Sequence, residues 1–336
     1  LVLVYLVLST PFFCAANAIG LALTAFRERA GRVYAADLCG AGLGAALVLA
    51  LLYRLWPEDA LRMAAATGFL ATFVGALELR AQPKTWAGVA LVGLAALALL
   101  PDPWLRFEPG PYKGLSQALQ VAGTRVVLER SGPLGRITVT SNSEVPLRHA
   151  PGLGLTALGE PPPQLALFVD GDGLQAITAA SDDPARLAFL RESTAALPYR
   201  LGSPRSVLVA GAGGGMEVLR ARAFGATRID ALELDRQVAR LLAEDFRGFT
   251  GALIAQPGIH AYLGEARGFL TGSDRRYDLI QLPAAAMTGG GLGGLNEDYG
   301  YTVEALRLDL AHLVEGGYLA ATVAVQVPPR DALKLV

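Results

Sequence analysis

A glycine-rich turn is the feature of this 336-residue sequence with the clearest chemical meaning. The segment 207–221, VLVAGAGGGMEVLRA, passes from a short apolar strand through glycines into a helical pattern. Such a turn brings backbone amides and a helix N-terminus close to a ligand, and glycine permits the close approach. The sequence therefore predicts a nucleotide site, although a turn without a ligand is the alternative. The predicted contact residues in the turn are Gly211, Ala212, Gly213 and Gly215.

The spacing of the glycines distinguishes between classes of nucleotide. A phosphate-binding P-loop is excluded because no Gly-Lys-Ser/Thr follows the turn. The nicotinamide fingerprint G-x-G-x-x-G fails at its third glycine, where the sequence has Met216. The spacing G-x-G-x-G at residues 211, 213 and 215 is more typical of domains that bind S-adenosylmethionine (SAM). The turn thus favours SAM over a dinucleotide.

Two acidic positions farther along the chain support the same choice. Glu233, followed by Leu234, lies near the end of the segment RIDALEL, and a carboxylate there can accept hydrogen bonds from both ribose hydroxyls of either a dinucleotide or SAM. Glu265, followed by Ala266, comes directly after a third strand, where SAM domains use an acidic side chain to bind the adenine amino group. The four residues complete the predicted nucleotide pocket.

The elements that must position these residues form an α/β pattern. From residue 205 onward, strands alternate with helices, which indicates a parallel sheet covered on both faces. The strand YDLIQL comes fourth, and a Gly-Gly turn at 316–317 is expected to lead into a fifth. Before residue 201, two patterns of paired strands predict β-hairpins. We therefore expect a small β-rich domain over 113–200 and a SAM-binding, Rossmann-like domain over 201–336.

The first 100 residues have the composition of a membrane region. They carry 12 charged side chains, against 47 in the remaining 236 residues, and the mean hydropathy of the whole chain is +0.39. About 20 apolar residues are enough to cross a bilayer as a helix. The sequence predicts a multi-span α-helical membrane region over residues 1–100. Its four spans lie at residues 1–26, 38–56, 61–79 and 86–100, and a linker follows at 101–112. Because the chain begins inside an apolar segment and ends within a pattern, we expect it to be a fragment truncated at both termini.

Charge distribution sets expectations for partners and location. The positive-inside rule places the loops after the first and third spans in the cytoplasm, which leaves the globular part outside. SAM is scarce outside the cell, so we instead expect a bacterial inner-membrane protein with a cytoplasmic globular domain. The lipid bilayer is then a partner, and a homodimer is compatible with the sequence. The net charge of −1 gives no sign of nucleic-acid binding, and three scattered histidines predict no metal site.

From about residue 112 to its end, the chain resembles the spermidine synthase family, the aminopropyltransferases, and specifically the bacterial members fused to a membrane region. The glycine turn, the acidic strand end, the Gly-Glu pair at 264–265 and YDLI carry this resemblance. It implies a class I SAM-dependent methyltransferase-like fold and a small N-terminal β domain. The segment DGDGLQ is similar to the family's D-G-x-x-Q stretch, which implies that Asp170 and Gln175 lie near the sulfur end of the nucleotide.

Two positions depart from that family. Gly214 stands where the family's glycine loop has an Asp, and Pro283 stands where its fourth strand is followed by the Asp that helps to deprotonate the amine. The change at Pro283 removes a general base and a cation anchor together. The segment NEDY offers replacements, so Glu297 and Tyr299 are the candidate catalytic residues, although both could simply belong to a helix cap and its packing.

The predicted activity is therefore a membrane-bound transfer from SAM or decarboxylated SAM, without a metal, to an unknown small-molecule acceptor. Methyl transfer is favoured because it mainly needs in-line positioning. Polyamine aminopropyl transfer is one alternative. The other is a non-catalytic, nucleotide-binding sensor that regulates the membrane region.

Overall fold

The computed structural model describes residues 2–78, 82–157, 159–282 and 299–323. The chain divides into two compact units, Leu1–Phe107 and Glu108–Val336, which are described separately. The first is helical and the second contains two β-sheets. The predicted order of apolar helices, a small β-sheet and a Rossmann-like parallel sheet is confirmed.

The first unit consists of apolar helices with exposed hydrophobic side chains. Among the described residues, three helices are long and apolar enough to cross a membrane, and a fourth is apolar but shorter. A 24-residue helix such as the first is about 36 Å long, which exceeds the roughly 30 Å of a bilayer's hydrocarbon core. The helices are α1 (Val2–Ala25), α2 (Ala30–Leu52), α3 (Pro57–Glu78), α4 (Pro83–Leu99) and the one-turn α5 (Asp102–Leu105).

Polar contacts join the start of α3 to the chain that follows α4. The Arg62 guanidinium donates to the Leu100 carbonyl at 3.0 Å and to the Asp102 carboxylate at 2.7 Å. The backbone N–H of Phe107 donates to Glu58 at 3.0 Å. Helices α3 and α4 are therefore antiparallel. The C-terminus of α4 lies next to the N-terminus of α3.

The small sheet of the second unit is antiparallel, with strand order β1-β2-β3-β4. A short helix, α6 (Gly114–Leu119), precedes it. The turn between β3 and β4 is the pair Asp170–Gly171, with φ of 50° and 75°, as a tight two-residue hairpin requires. The sequence pattern QLALFV, DGDG, LQAIT predicts a four-residue turn at 170–173, so the observed turn is two residues shorter. The strands are β1 (Thr124–Gly132), β2 (Gly135–Asn142), β3 (Gln164–Val169) and β4 (Asp172–Thr178).

The second sheet is parallel, with strand order β7-β6-β5-β8-β9. Its strands are β5 (Ser206–Ala210), β6 (Arg228–Glu233), β7 (Ile259–Leu263), β8 (Tyr277–Leu282) and β9 (Leu313–Ala321). The helices of this part are α7 (Ala188–Arg191), α8 (Leu197–Gly202), α9 (Met216–Ala223), α10 (Arg236–Arg240), α11 (Ala266–Thr271) and α12 (Val303–Ala311). The strand order reverses between β5 and β8, and ligands of such sheets bind outside the carboxyl ends of the strands at that point.

The apolar residues of the parallel sheet pack on both of its faces. Val207, Val209 and Leu279 pack with Tyr199 and Val218 from α8 and α9. On the other face, Leu208 and Ile280 pack with residues of α11 and α12, including Leu270 and Leu306. Because both faces are covered, the central strand β5 is continuously apolar over residues 207–209, as its sequence predicted.

The small sheet forms a hydrophobic core with the helical segment that follows β6. Ile137, Val139 and Leu167 of the small sheet pack against Val238 of α10 and Leu242 of the following π-helical turn, Leu241–Asp245. Arg130 of β1 forms two hydrogen bonds with Asp245, at 2.6 and 2.5 Å. The small sheet is therefore fixed against the segment that follows β6.

The expected Gly-Gly turn before the last strand is not a separate turn. Gly316 and Gly317 lie inside β9, where the pairing with β8 shifts register. Gly316 has a φ of 77°, and a Cβ on Gly317 would lie 3.1 Å from the carbonyl oxygen of Tyr277. The glycines therefore allow an irregularity within the strand rather than a turn ahead of it.

Candidate nucleotide site

The glycine turn follows β5 and leads into α9 at the carboxyl edge of the parallel sheet. Val207, Leu208 and Val209 of β5 are fully buried, which fixes the strand that leads into the turn. Gly211, Gly213 and Gly215 have φ angles of 112°, 48° and 88°. Side-chain-bearing residues rarely adopt these angles, so the alternating spacing of the three glycines follows from the backbone path.

The backbone N–H groups of the turn are all bonded within the chain. Those of Gly211 and Ala212 donate to the Leu232 carbonyl, at 3.0 and 2.6 Å, and that of Gly215 donates to the Ala212 carbonyl at 2.8 Å. The Gly213 N–H donates to the Glu233 carboxylate at 2.8 Å, and the Gly214 N–H donates to the Gln175 side chain at 3.0 Å. The turn is thus held in shape by side chains from two other strands.

Glu233 lies at the end of β6, beside the glycine turn. One carboxylate oxygen accepts from Gly213 and the other accepts from the backbone N–H of Asp235 at 2.9 Å. Burial raises the pKa of Glu233, and these two backbone hydrogen bonds partly oppose that rise. Each oxygen can accept a further hydrogen bond, so the carboxylate can hold two hydroxyl groups as the sequence predicted.

A second carboxyl group lies next to Glu233. Asp235 accepts from the backbone N–H of Gln237 at 2.7 Å and so caps α10. Burial raises the pKa of Asp235, and the charge of Asp170 raises it further. Asp170 itself occupies the β3–β4 turn, where it accepts from the backbone N–H of Arg136 at 2.8 Å. The carboxyl groups of Glu233, Asp235 and Asp170 therefore lie near the carboxyl end of β6.

Strand β4 lies directly against the glycine turn. A Cβ atom on Gly214 would be 2.3 Å from the carbonyl oxygen of Ala176, and one on Gly213 would be 2.1 Å from Oε1 of Gln175. Real Cβ atoms do not come so close to other atoms. This backbone therefore leaves no room for a side chain at residue 214, so only glycine fits there.

The other predicted nucleotide contacts lie at the ends of β6 and β7. Leu234 is 56% exposed, and Glu265, also exposed, is the residue directly before α11. Gly264 bonds the two strand ends together by donating to the Glu233 carbonyl at 2.9 Å. Ala266 is the first residue of α11 and is half-buried. These residues form the exposed rim of the sheet next to Glu233.

The two predicted catalytic residues differ in what the structure describes. Glu297 and Pro283 lie outside the described residues. Tyr299 begins a short 3₁₀ turn, Tyr299–Tyr301, and its side chain is half-exposed. Its carbonyl accepts from the Thr302 hydroxyl at 3.1 Å, and Thr302 caps α12. The residue that caps α12 is thus Thr302, which follows NEDY, rather than Tyr299 itself. A catalytic role for Tyr299 stays a prediction.

Sequence reasoning missed a buried polar network beside the switch point, the place between β5 and β8 where the strand order reverses. The Tyr199 hydroxyl donates to the Gln281 side chain at 2.6 Å, and Gln281 donates in turn to the Glu217 carboxylate. Glu217 also forms an ion pair with Arg220, which is only 2% exposed. Burial and the Glu217 charge raise the pKa of the Tyr199 phenol, so it is a neutral donor. Gln281 within an otherwise apolar strand was the available signal in the sequence.

The described residues contain no group of three His, Cys, Asp or Glu side chains that is arranged to hold a metal ion. The predicted lack of a metal remains an expectation, as does the SAM-type ligand. The residues that can hold a nucleotide are those that line the switch point, namely the glycine turn, Glu233, Gln175 and the exposed ends of β6 and β7.

No protein-family model matches the sequence, and no curated protein does. Solved structures are similar to the chain at low identity. A spermidine synthase in complex with the transition-state analogue AdoDATO is 15% identical, with a TM-score of 0.41, over 63% of this chain and 60% of that one. The spermidine synthase from Thermotoga maritima is 16% identical with the same TM-score and coverage. The chain thus spans less than two thirds of either synthase.

A methylase is also similar in structure. The ribosomal protein L11 methylase from Lactobacillus delbrueckii subsp. bulgaricus is 18% identical, with a TM-score of 0.30, over 45% of this chain and 67% of that one. Parts of the chain are thus similar in fold, at low identity, to a spermidine synthase and to a methylase.

Proposed function

We propose that the chain is a membrane-bound transferase whose cosubstrate is a sulfonium nucleoside, SAM or decarboxylated SAM. The observation that carries this proposal is the bond from Gly213 to Glu233 at the switch point of the parallel sheet. It supports a site where the glycine turn receives the sulfur-bearing chain and Glu233 receives the ribose. The exposed end formed by Leu234 and Glu265 would then receive the adenine.

The electrostatics of the turn favour a cationic ligand over a phosphate. All five N–H groups of residues 211–215 already have acceptors within the chain. A phosphate needs such donors, and it would be repelled by the carboxylates of Glu233, Asp235 and Asp170. A sulfonium is attracted by the same carboxylates. We therefore place SAM-type nucleosides ahead of NAD and ATP.

Methyl transfer is the reaction that the site supports best. A lone pair of the acceptor attacks the methyl carbon, the carbon–sulfur bond breaks, and its electron pair stays on sulfur to give S-adenosylhomocysteine. The acceptor afterwards loses a proton to solvent. This step relies on positioning and needs no strong base. It accords with Gly214 and Pro283, which replace two acidic residues of the related family.

Aminopropyl transfer from decarboxylated SAM is the second candidate. SAM carries a carboxylate that decarboxylated SAM lacks, and the N–H groups of the glycine turn are already bonded. The acidic surroundings therefore also suit the decarboxylated ligand, which has two positive charges and no negative one. A non-catalytic sensor remains as the third alternative from the sequence.

The long apolar helices support a position in a membrane, which we take to be the bacterial inner membrane. The contacts of Arg62 with Leu100 and Asp102 bring the chain after α4 to the end where α3 begins. We place this end, and the globular unit that begins at Glu108, on the cytoplasmic side, where the nucleoside is present. The acceptor is then a small molecule that arrives from the cytoplasm or the bilayer.

Calorimetric titration of the full chain in lipid nanodiscs tests the nucleotide site. Glu233→Gln should weaken SAM binding about tenfold or more, because hydrogen bonds to a charged carboxylate are the strong ones. The matched control is Glu244→Gln, an exposed carboxylate paired with Arg240, which should leave binding unchanged. Equal affinities for the Glu233 variant and the wild type would contradict the proposed pocket.

A product assay separates the two reactions. Incubation with decarboxylated SAM and spermidine-type amines should give no 5′-methylthioadenosine if methyl transfer is the activity. Formation of that product above the rate without enzyme would establish aminopropyl transfer instead.

A further inference from the structure

A carboxylate in the first turn of α9 lies beside the proposed ligand position and has no assigned role. Glu217 is two residues past Gly215, which ends the glycine turn. Its side chain accepts from Gln281 of β8, and Gln281 pairs in register with Val209 of β5. Glu217 therefore links α9, the helix that follows β5, to β8, and the sheet order reverses between these two strands.

The partners of Glu217 fix its carboxylate from one side. Both Arg220 and Gln281 donate to the same oxygen, Oε2. Among the described residues, no hydrogen bond reaches Oε1. The Glu217 side chain is 16% exposed, whereas that of Arg220 is 2% exposed. The ion pair thus has its positive end in the core and its negative end toward solvent.

The rest of the network holds this arrangement in place. Arg220 also donates to the Leu190 carbonyl at 3.2 Å, and Tyr199 donates to the far side of Gln281 at 2.6 Å. With both its donor and acceptor groups engaged, Gln281 cannot flip its amide without losing a buried hydrogen bond. A carboxylate fixed in this way is pre-organised to accept a hydrogen bond from a ligand.

We propose that Glu217 binds the ammonium group of the amine-bearing chain on the nucleoside. This inference rests on the proposed function and names a residue of the same site. The glycine turn has no room for an acidic side chain at Gly214, whose Cβ would meet the Ala176 carbonyl. Glu217, in the first turn of α9, supplies a carboxylate instead. It would accept a charge-assisted hydrogen bond from the ammonium group.

Two neutral-sulfur nucleosides test this assignment by titration of the full chain in nanodiscs. Decarboxylated S-adenosylhomocysteine carries the ammonium, while 5′-methylthioadenosine lacks it and shares the adenosine and sulfur. Glu217→Gln should weaken the first roughly tenfold, as expected for loss of a charge-assisted bond. It should leave the second within about twofold of the wild type. Glu244→Gln, which alters an exposed Arg–Glu pair, should change neither affinity.

The two ligands also separate a folding defect from a binding role. If the Glu217 variant loses affinity for both nucleosides equally, its role is structural and the assignment is wrong. If it loses affinity for neither, the ammonium binds elsewhere and the assignment is also wrong. If the wild type binds no adenosyl compound at all, the proposed function itself fails.

Discussion

The contact between Gly214 and β4 gives a prediction about stability whose size follows from the structure. In Gly214→Ala, and equally in Gly214→Asp, the new Cβ would lie 2.3 Å from the Ala176 carbonyl oxygen and 2.8 Å from its carbon. Ordinary contacts begin at 3.4 Å, so the turn or the strand must move by about 1 Å. Ala176 is buried, and overpacking of a core costs about 1–3 kcal/mol.

The same movement stretches the hydrogen bond from Gly214 to Gln175, which adds about 1 kcal/mol. The sum is about 2–4 kcal/mol, and in a unit of this size each kcal/mol lowers the unfolding midpoint by about 2–4 °C. We therefore expect the midpoint of the globular unit to fall by roughly 5–15 °C, as measured by scanning calorimetry of the full chain in detergent micelles. An acidic residue at position 214 should thus destabilise this protein.

Gly248→Ala is the matched control, since no atom lies within 4 Å of its Cβ position. Its midpoint should stay within about 2 °C of the wild type, because surface substitutions of this kind change stability little. A Gly214→Ala variant as stable as the control would refute the close packing of the glycine turn on β4.

Three further substitutions test other parts of the structure. Burial raises the pKa of Asp309 to about 6, so the wild type should lose stability as the pH rises from about 4 through 6. Asp309→Asn should remove this loss and be more stable at neutral pH by up to about 3 kcal/mol, measured from urea midpoints at two pH values. Tyr277→Phe removes a 2.7 Å hydrogen bond to the fully buried Asp230 and should cost about 1.5–3 kcal/mol in the same assay; no change would mean that Asp230 is held by its other partners. Arg130→Met breaks the paired bonds to Asp245 and should cost about 1 kcal/mol, whereas a neutral result would show that this ion pair does not stabilise the packing of the small sheet.

Local sequence signals were sufficient to predict much of the fold. The glycines at 211, 213 and 215 could be recognised because each has a backbone angle that other residues rarely adopt. Apolar segments of five or six residues between helical patterns predicted the buried parallel strands. Glu233 was identified because it follows one of those strands, and its bond to Gly213 confirms that it lies beside the turn.

Long-range contacts could not be read from local patterns. The bond from Gln281 to Glu217 joins residues 64 positions apart, and the bond from Gly214 to Gln175 spans 39 positions. Neither pair has a periodicity that would reveal it. The glycines at 316–317 were misplaced because a Gly-Gly pair fits a turn and a strand irregularity equally well in a single sequence.

The most direct measurement is a titration of the wild-type chain in nanodiscs with SAM, decarboxylated SAM, NAD and ATP, each under the same conditions. A site with bonded glycine amides and three neighbouring carboxyl groups should bind at least one of the two sulfonium nucleosides. It should bind neither NAD nor ATP measurably, because their phosphates meet no free donors in the turn. Tight binding of NAD or ATP, with no heat from either sulfonium nucleoside, would contradict the proposed function.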